Sequence, residues 1–352
     1  MTDYLAMAYP QLAQQLPKMR LANLPTPLVE RSVATRGGQR SITVKCDNVT
    51  GDLYGGNKVR KLEYLLHRAA AKKAKRVATF GTVASNHAVA TSLYAKFLGF
   101  DCTCLLSNQA YTAGVVRALN VHLNCGTEIV RYGGTRANRV RTLRQHLWNR
   151  GVFLIPPGGS NWLGAVGFVA AGLELAAQLN TTGIPAPDRV YVANGTMATA
   201  AGLALGLVLA GLPTEVHAVS VTERFVASPA AMRRLIAKTA SLLHVLDTSV
   251  PANLAQLARC KFRDGFLGDG YAKSNAATDR AVKVARDELG LSLESTYTGK
   301  AMAAMLHDLD SPALATQSML FWNTYNSQAL PAGDTRPVDA SGLPPEFLRY
   351  FD

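Results

Sequence analysis

The chain is short of acid, aromatic rings and cysteine. Its 352 residues carry 24 Asp and Glu against 37 Lys and Arg, a formal net charge of +13, and only 7% are aromatic. Charged residues of both signs make up 17% and hydrophobic ones 48%, which excludes a disordered chain. The five cysteines, Cys46, Cys102, Cys104, Cys125 and Cys260, include no CxxC pair, and no His cluster stands at metal spacing. That argues against a disulfide framework and against a metal site, and it suits reduced thiols. Cys102 and Cys104 lie two apart in an apolar run and read as small core residues on one strand face. The N-terminus lacks a basic stretch followed by an apolar one, so it does not read as a signal peptide. No apolar run is read as long enough for a membrane span, so the expectation is a cytoplasmic protein without a membrane partner. The shortage of acid leaves one class to weigh, since a basic excess admits an anionic ligand or a nucleic acid. The densest basic stretches, "KKAKR" at Lys72 to Arg76 and "RANRVRTLR" at Arg136 to Arg144, have no interleaved aromatics. They read as solvated helix faces, and no nucleic-acid partner is expected.

What the chain does have is one repeated grammar: an apolar strand, a Gly/Ser/Asn-rich loop, then an Ala-rich helix. "RVATF" leads through "GTVASN" to "HAVATSLYAKFLGF"; "VFLI" through "PPGGSN" to "WLGAVGFVAAGLELAAQL"; "RVYVA" through "NGTMAT" to "AAGLALGLVLAG". Strands alternating with helices predict an α/β fold of mostly parallel sheets, and the length allows two domains. Ligands in such folds bind at the carboxyl ends of strands, where these loops fall. The turn-rich "NTTGIPAPDR", Asn180 to Arg189, reads as a joint between two lobes or between two units of one lobe. The Pro/Gly-rich tail "LPAGDTRPVDASGLPPEF" is expected to wrap the surface without regular structure.

Gly195 to Thr199 lies between a strand and a helix, where free amides and the helix dipole make an anion site; a plain strand-to-helix turn is the competing reading. It is neither a P-loop nor GxGxxG. Ser85 opens the helix of "ASNH"; it reads as an N-cap, because a hydrolase nucleophile would need GxSxG. "YGGNKVRKLEYLL" places Lys58 behind Gly55 and Gly56 at a helix mouth, where the dipole disfavours positive charge unless the amine is neutral or tied up covalently. The two glycines suggest that something approaches this lysine closely. Lys61, one turn on, can neutralise an anion. A Schiff-base lysine, a phosphate nest and a ring-nitrogen partner are what pyridoxal 5'-phosphate needs.

In this order, "GGNKVRKLEYLL", "GTVASNHAVATSLYAKFLGF", "PPGGSNWLGAVGF", "GTMATAAGL" and "STYTGKAMAAML" resemble the motifs of the D-cysteine desulfhydrase and aminocyclopropane-carboxylate deaminase family. Those are pyridoxal-phosphate enzymes of fold type II, the tryptophan-synthase-β architecture. The match runs from about Leu24 to about Ser327. The resemblance implies a large cofactor-binding domain, residues 1–60 and 168–352, a small domain, 61–167, inserted in it, and an active site in the cleft between them. It implies that Lys58 carries the cofactor as a Schiff base, that Lys61 meets its phosphate, and that Gly195, Thr196, Met197, Ala198 and Thr199 form the phosphate loop. Asn86 is similar to the asparagine at the cofactor's 3-hydroxyl. Ser85, Asn86 and His87 correspond to the helix start that receives the substrate carboxylate. Tyr297 corresponds to an active-site tyrosine, Thr298 to a residue beside the substrate, and Thr324 to the threonine facing the pyridine nitrogen.

Where the deaminases carry "YEGK" and "HLGG", this chain has Thr298 and Thr324, as the desulfhydrases do. A threonine supplies no charge to hold the pyridine protonated, and the weaker electron sink suits β-elimination better than cyclopropane ring opening. The expected substrate is therefore a small amino acid, and the expected reaction is desulfhydrase-like, with deamination, β-replacement or racemisation as alternatives and, ranked below them, a homologue that binds the cofactor without turnover or a basic nucleic-acid-binding protein. A homodimer is expected from the resemblance alone. Three departures bear on the pocket. Ala84 replaces a usual Gln; Met197 and Ala198 replace glycines, and non-glycine residues tolerate positive φ poorly; "NTYNS" brings Tyr325 and Asn326 near the ring. Glu63 reads as a helix-surface or lobe-interface charge. His122, His146, His217 and His244 read as surface or core residues without acid partners. Trp162 and Phe168 read as core.

Overall fold

The structure, a computed structural model, describes residues 2–148, 151–330 and 339–351. Ten strands form two sheets. β1 (Leu28–Thr35) and β2 (Gly38–Lys45) make an antiparallel hairpin. β3 (Arg76–Thr82), β4 (Asp101–Ser107), β5 (Glu128–Arg131) and β6 (Val152–Leu154) follow, then β7 (Arg189–Asn194), β8 (Glu215–Ser220), β9 (Cys260–Arg263) and β10 (Met319–Trp322). One sheet has the order β1-β2-β10-β7-β8-β9 and the other β5-β4-β3-β6; outside the hairpin every pairing is parallel.

β7 and β8 are buried from their second residue onward, as apolar runs in a parallel sheet covered on both faces should be. The three repeated units fall as expected. The helices Asn86–Phe97, Trp162–Thr182 and Ala198–Leu209 each follow a strand and a loop, so all three loops stand at carboxyl ends of strands. Cys102 and Cys104 are buried side by side on β4, Phe168 is fully buried, and Trp162 packs against the same core. No disulfide joins any of the cysteines among the described residues.

The Trp162–Thr182 helix corrects one expectation. An 18-residue window of this 21-residue helix has mean hydropathy 1.5, long and apolar enough to cross a membrane by length and composition. Here 83% of that window is buried in the protein, and the helix lies against Ala198–Leu209 at backbone distance. A Cβ on Gly202 would stand 2.2 Å from the Ala165 carbonyl oxygen, and one on Gly206 would stand 2.3 Å from that of Val169. Glycine stands at these two positions because two backbones touch there.

Other expectations also need correction. Glu63 is 2% exposed and accepts from the Leu21 and Ala22 amides at 3.0 and 3.1 Å, so it pins the N-terminal segment instead of facing water. His146 meets Glu128 at 2.9 Å, and buried His217 meets Glu215 at 2.8 Å, so both have acid partners. Lys72, Lys73 and Lys75 are exposed in the turn before β3 and not on a helix face, whereas Arg136–Leu147 is a helix with no fully buried residue. The "NTTGIPAPDR" segment carries the end of the Trp162 helix, through Gly183 at φ 72°, into β7. In the tail, residues 331–338 lie outside the described residues. Ala340–Gly342 form a 3-10 turn and Pro345–Leu348 a helical turn, with Phe347 fully buried and the Tyr350 hydroxyl donating to the Gln109 carbonyl at 2.7 Å.

Candidate active site

Lys58 is the first residue of the helix Lys58–Ala71, half-buried at the base of a cavity of about 540 Å3 that lies between the two sheets. The glycines before it answer to the chain itself. A Cβ on Gly55 would stand 2.0 Å from the Asn48 carbonyl oxygen; Gly56, at φ 81°, has the Thr324 carbonyl oxygen 2.8 Å from where its Cβ would be. This is the close approach that the sequence signalled, made by backbone. Asn57 then joins the elements: its Oδ1 accepts from Lys58 Nζ at 2.9 Å and its Nδ2 donates to Thr199 Oγ1 at 3.0 Å. Burial draws the Lys58 amine down to about 8, against an upward pull from the Glu294 charge, which raises its neutral, nucleophilic fraction. Lys61 is 1% exposed and donates to the Gly158 carbonyl at 3.2 Å; burial, then the charge of Lys58, holds its amine well below the usual lysine range. Neither amine forms an ion pair among the described residues.

The helix under Lys58 is braced by a buried charge network. The Arg60 guanidinium spans Asp47 (Nη2 to Oδ1, 2.7 Å) and Glu174 (Nη1 to Oε2, 2.9 Å), and Lys45 Nζ meets Glu174 Oε1 at 2.5 Å. Trp322 Nε1 and Thr26 Oγ1 donate to Asp47 at 2.8 and 2.9 Å. Two cations and two carboxylates, all within 1% exposure, are thus satisfied together.

Opposite Lys58, β7 ends at Asn194, and Gly195–Met197 turn into the helix Ala198–Leu209. Met197 takes φ 75°, the conformation a glycine would favour, and gives the helix no side-chain cap. The Ala198 and Ala201 amides go to the Thr196 and Met197 carbonyls at 3.1 and 3.0 Å, which leaves those of Thr199 and Ala200 to meet an anion. Ser160 Oγ donates to Thr196 Oγ1 at 2.6 Å, and Thr222 Oγ1 donates to the Gly195 carbonyl at 3.0 Å, so two other loops fix this turn. Asn194 is 1% exposed, lines the cavity, and has no partner on either Oδ1 or Nδ2.

On the third side, Ser85 Oγ accepts from the Ala88 amide at 3.3 Å, the cap expected of it. Asn86 Oδ1 accepts from the Tyr54 hydroxyl at 3.0 Å. His87 is 2% exposed, with Nε2 3.0 Å from Thr79 Oγ1 and Nδ1 unpartnered; burial, then the charges of Lys58 and Lys61, pushes its pKa far down, so the ring is neutral. The Tyr297 hydroxyl shares a short hydrogen bond with that of Tyr271, which lies 3.4 Å from Thr82 Oγ1. Burial, then Tyr271, raises the Tyr297 phenol well above its ordinary value, so it remains a proton donor. Glu294 accepts from the Tyr297 and Thr298 amides at 2.9 and 2.8 Å and from Thr298 Oγ1 at 3.2 Å; burial nevertheless raises its carboxyl. Thr324 is 8% exposed, and its carbonyl accepts from the Asn57 amide at 3.2 Å.

Lys58, Lys61, Ser85, Asn86, His87, Gly195, Thr196, Met197, Thr199, Tyr297, Thr298 and Thr324 all line this one cavity. Ala198 does not; it is fully buried behind the loop. Tyr325 and Asn326 reach the wall, and Asn326 Oδ1 accepts from the Gly55 amide at 2.6 Å. Sequence reasoning missed Tyr54, Asn57, Asn194, Tyr271 and Glu294. Asn57 and Asn194 stood inside motifs already singled out, whereas Tyr271 lies in a loop with no periodicity. An uncapped helix start, two amines without acid partners and a buried amide free at both ends make a donor set for a phosphate-bearing ligand with a reactive carbonyl. Those are the requirements of pyridoxal phosphate.

Comparison with known proteins agrees with that donor set. Residues 19–323 match the family described as pyridoxal-phosphate dependent enzyme. A D-cysteine desulfhydrase of Salmonella paratyphi A is 31% identical over 327 residues, which is 90% of this chain and 96% of that one; one of Salmonella schwarzengrund matches equally. A crystal structure described as an ACC deaminase homologue superposes with a TM-score of 0.75 at 26% identity over 99% of both chains. A fungal L-serine ammonia-lyase from Rhizomucor miehei, at 17% identity and TM-score 0.61 over 88% of this chain and 96% of that one, shares the fold.

Proposed function

The chain belongs to the pyridoxal-phosphate-dependent enzyme family, and from that premise we propose that it catalyses α,β-elimination on a small amino acid, as a D-cysteine desulfhydrase does. With D-cysteine and water the products are pyruvate, ammonium and hydrogen sulfide. The observation that carries this reading is the likeness over nine-tenths of the chain to D-cysteine desulfhydrases, combined with threonine at 298 and 324.

Lys58 holds the cofactor; the helix start at Ala198, with Gly195 to Thr199 and Lys61, holds its phosphate; Asn86 and Thr324 orient its ring. When bound, pyridoxal phosphate supplies an electron sink for a carbanion at the substrate's Cα. The Ser85–His87 helix start takes the substrate carboxylate with its amides and the positive end of the helix dipole, since the His87 ring is neutral and adds no charge of its own. The Lys58 amine, drawn down toward neutrality by burial, takes the Cα proton. The Tyr297 hydroxyl, hydrogen-bonded to Tyr271, gives a proton to the departing β-substituent. Thr324 leaves the ring without an added negative charge, which favours prompt loss of a good leaving group.

A second reading, aminocyclopropane-carboxylate deamination, is supported by the 26% identical structure described as an ACC deaminase homologue. Release of 2-oxobutyrate from the cyclopropane amino acid, against pyruvate from D-cysteine, separates the two. We place the large lobe at residues 1–60 and 168–352 and the inserted lobe at 61–167, in a cytoplasmic homodimer. Replacing Lys58 by Ala tests the assignment: pyruvate release should fall by at least roughly a thousandfold and the near-visible band should vanish. A variant that kept wild-type turnover would reject it.

A further inference from the structure

The mouth of the cavity differs in chemistry from its floor. Phe80, near the end of β3, and Tyr132, just after β5, stand edge to face with ring centroids 5.2 Å apart, and both line the cavity. They close a small apolar cluster with Ala78, Leu105 and Val130, so packing sets their position. Also on the wall is the segment between β8 and the helix Pro229–Leu246. Its root is fixed: Thr222 Oγ1 donates to the Gly195 carbonyl, Glu223 Oε1 accepts from the Tyr271 amide at 3.0 Å, and the Val226 amide closes a turn on the Glu223 carbonyl at 2.9 Å. That turn carries Phe225, which also lines the cavity yet is 88% exposed, with Val226 beside it. Covering an apolar ring that stands in water at the edge of a ligand cavity is favourable, so an apolar group of a ligand placed there gains from it.

The charges around this mouth narrow the ligand. The cations on the cavity wall are Lys58 and Lys61, both at the floor. Arg224, next to Phe225, is off the wall and paired with Asp264 at 2.5 Å. The mouth contributes Glu223, so a second carboxylate or a sulfonate on the substrate would meet a like charge. Aromatic rings from three segments, with no cation but Lys58 and Lys61 on the cavity wall, suit an uncharged apolar group.

We propose that Phe80, Tyr132 and Phe225 form a subsite for the leaving group, and that the enzyme prefers cysteines carrying a bulky apolar substituent on sulfur to cysteine itself. The proposal rests on the elimination reading above. The reaction balances with water as co-reactant: the Cα–H and Cβ–S bonds break, the thiol R–SH departs with its proton, and the three-carbon remainder takes up water to give pyruvate and ammonium. No oxidant or reductant is consumed.

The test offers cysteine, S-methylcysteine and S-benzylcysteine, each as both enantiomers, to the cofactor-loaded enzyme and follows pyruvate and thiol release, with the change in the cofactor's absorption on binding as a second readout. Within the reactive enantiomer, kcat/KM should rise with substituent size, by roughly tenfold from cysteine to the benzyl compound. Phe225→Ala, at an exposed position where folding is not at stake, should lower the benzyl-to-cysteine ratio severalfold, and Phe80→Ala should lower it again. Pyruvate formed fastest from cysteine would overturn the subsite and leave the elimination reading intact. If no compound yields pyruvate, the elimination reading fails; tighter spectral binding of the benzyl compound than of cysteine would then still support the subsite, and equal binding would reject it. A Phe225→Ala protein that changes its sedimentation but not its selectivity would assign the ring to a subunit contact and remove it from the subsite.

Discussion

Asn57 and Thr199 share a 3.0 Å hydrogen bond from Nδ2 to Oγ1, and it ties the start of the Lys58 helix to the start of the helix behind the Gly195–Thr199 loop. The lysine and the anion site are thereby held at a fixed separation, independently of any ligand.

The ionisation of Lys58 sets a pH dependence. Its amine is drawn down by burial to about 8, so the neutral form that attacks a carbonyl grows as pH rises through that value. The rate at which the near-visible band appears on adding pyridoxal phosphate should climb with pH and level off above about 8. The Glu294 charge acts upward on Lys58, so Glu294→Gln should shift the climb to lower pH. Stopped-flow absorption at a series of pH values measures both; a shift in the opposite direction would separate Glu294 from Lys58.

Asn194 is the second test. Its amide is buried and unpartnered at both ends on the cavity wall, so its hydrogen bonds await a ligand. Asn194→Ala should raise the cofactor's dissociation constant about tenfold, equivalent to roughly 1.4 kcal/mol, without lowering the melting temperature of the cofactor-free protein. Fluorescence titration and calorimetry decide: an unchanged constant with a lower melting temperature would make the residue structural.

Much of this architecture was legible in the sequence. The three strand-loop-helix units each appear where the apolar run, the Gly/Asn loop and the Ala-rich stretch placed them, because a parallel sheet covered on both faces writes itself as local pattern. The departure from glycine at Met197 and Ala198 was legible in part: Met197 takes φ 75°, whereas Ala198 is the first residue of the helix and is not at positive φ. What did not show are partnerships made across long separations. Glu63 read as a helix-surface or lobe-interface charge because its partners, the Leu21 and Ala22 amides and Lys18 at 3.5 Å, are about 40 positions away and leave no local signature. Tyr271 reaches Tyr297 from an irregular loop. Phe225 read as nothing, since exposure is not written in local composition.

Glu174 provides a stability test. Burial alone would push its carboxyl up, but Arg60 and then Lys45 outweigh burial and hold it at about 2. Its folded value lies below its unfolded one, so the stabilisation is complete above about pH 4.5 and is lost as pH falls toward 2. Glu174→Gln should cost about 3–5 kcal/mol near neutrality, because Lys45 and Arg60 then share one carboxylate, and the remaining stability should depend less on pH in that window. Urea titrations from about pH 2 to about pH 7 measure both effects.

Met197→Gly should relieve the strained turn. With φ at 75° and no side-chain cap to lose, the substitution should stabilise the protein by roughly 1 kcal/mol while preserving cofactor affinity. A lower melting temperature would mean that the Met197 side chain contributes more packing than its backbone costs.

The contact between the Trp162 and Ala198 helices has a consequence for how this protein can change over time. Each helix opens from a loop of the cavity floor, and their backbones touch at Gly202 and Gly206, where a Cβ would meet a carbonyl oxygen at 2.2 or 2.3 Å. The Lys58 helix is gripped in the same way, since a Cβ on Gly167 would stand 2.2 Å from the Arg60 carbonyl oxygen. Almost any mutation at these glycines displaces the floor, so the inherited chemistry is locked to one geometry. The mouth has no such lock: Phe225 stands in solvent on a short turn and can be exchanged at little structural cost. Lineages descending from this chain can therefore diversify in what they accept long before they diversify in what they do to it.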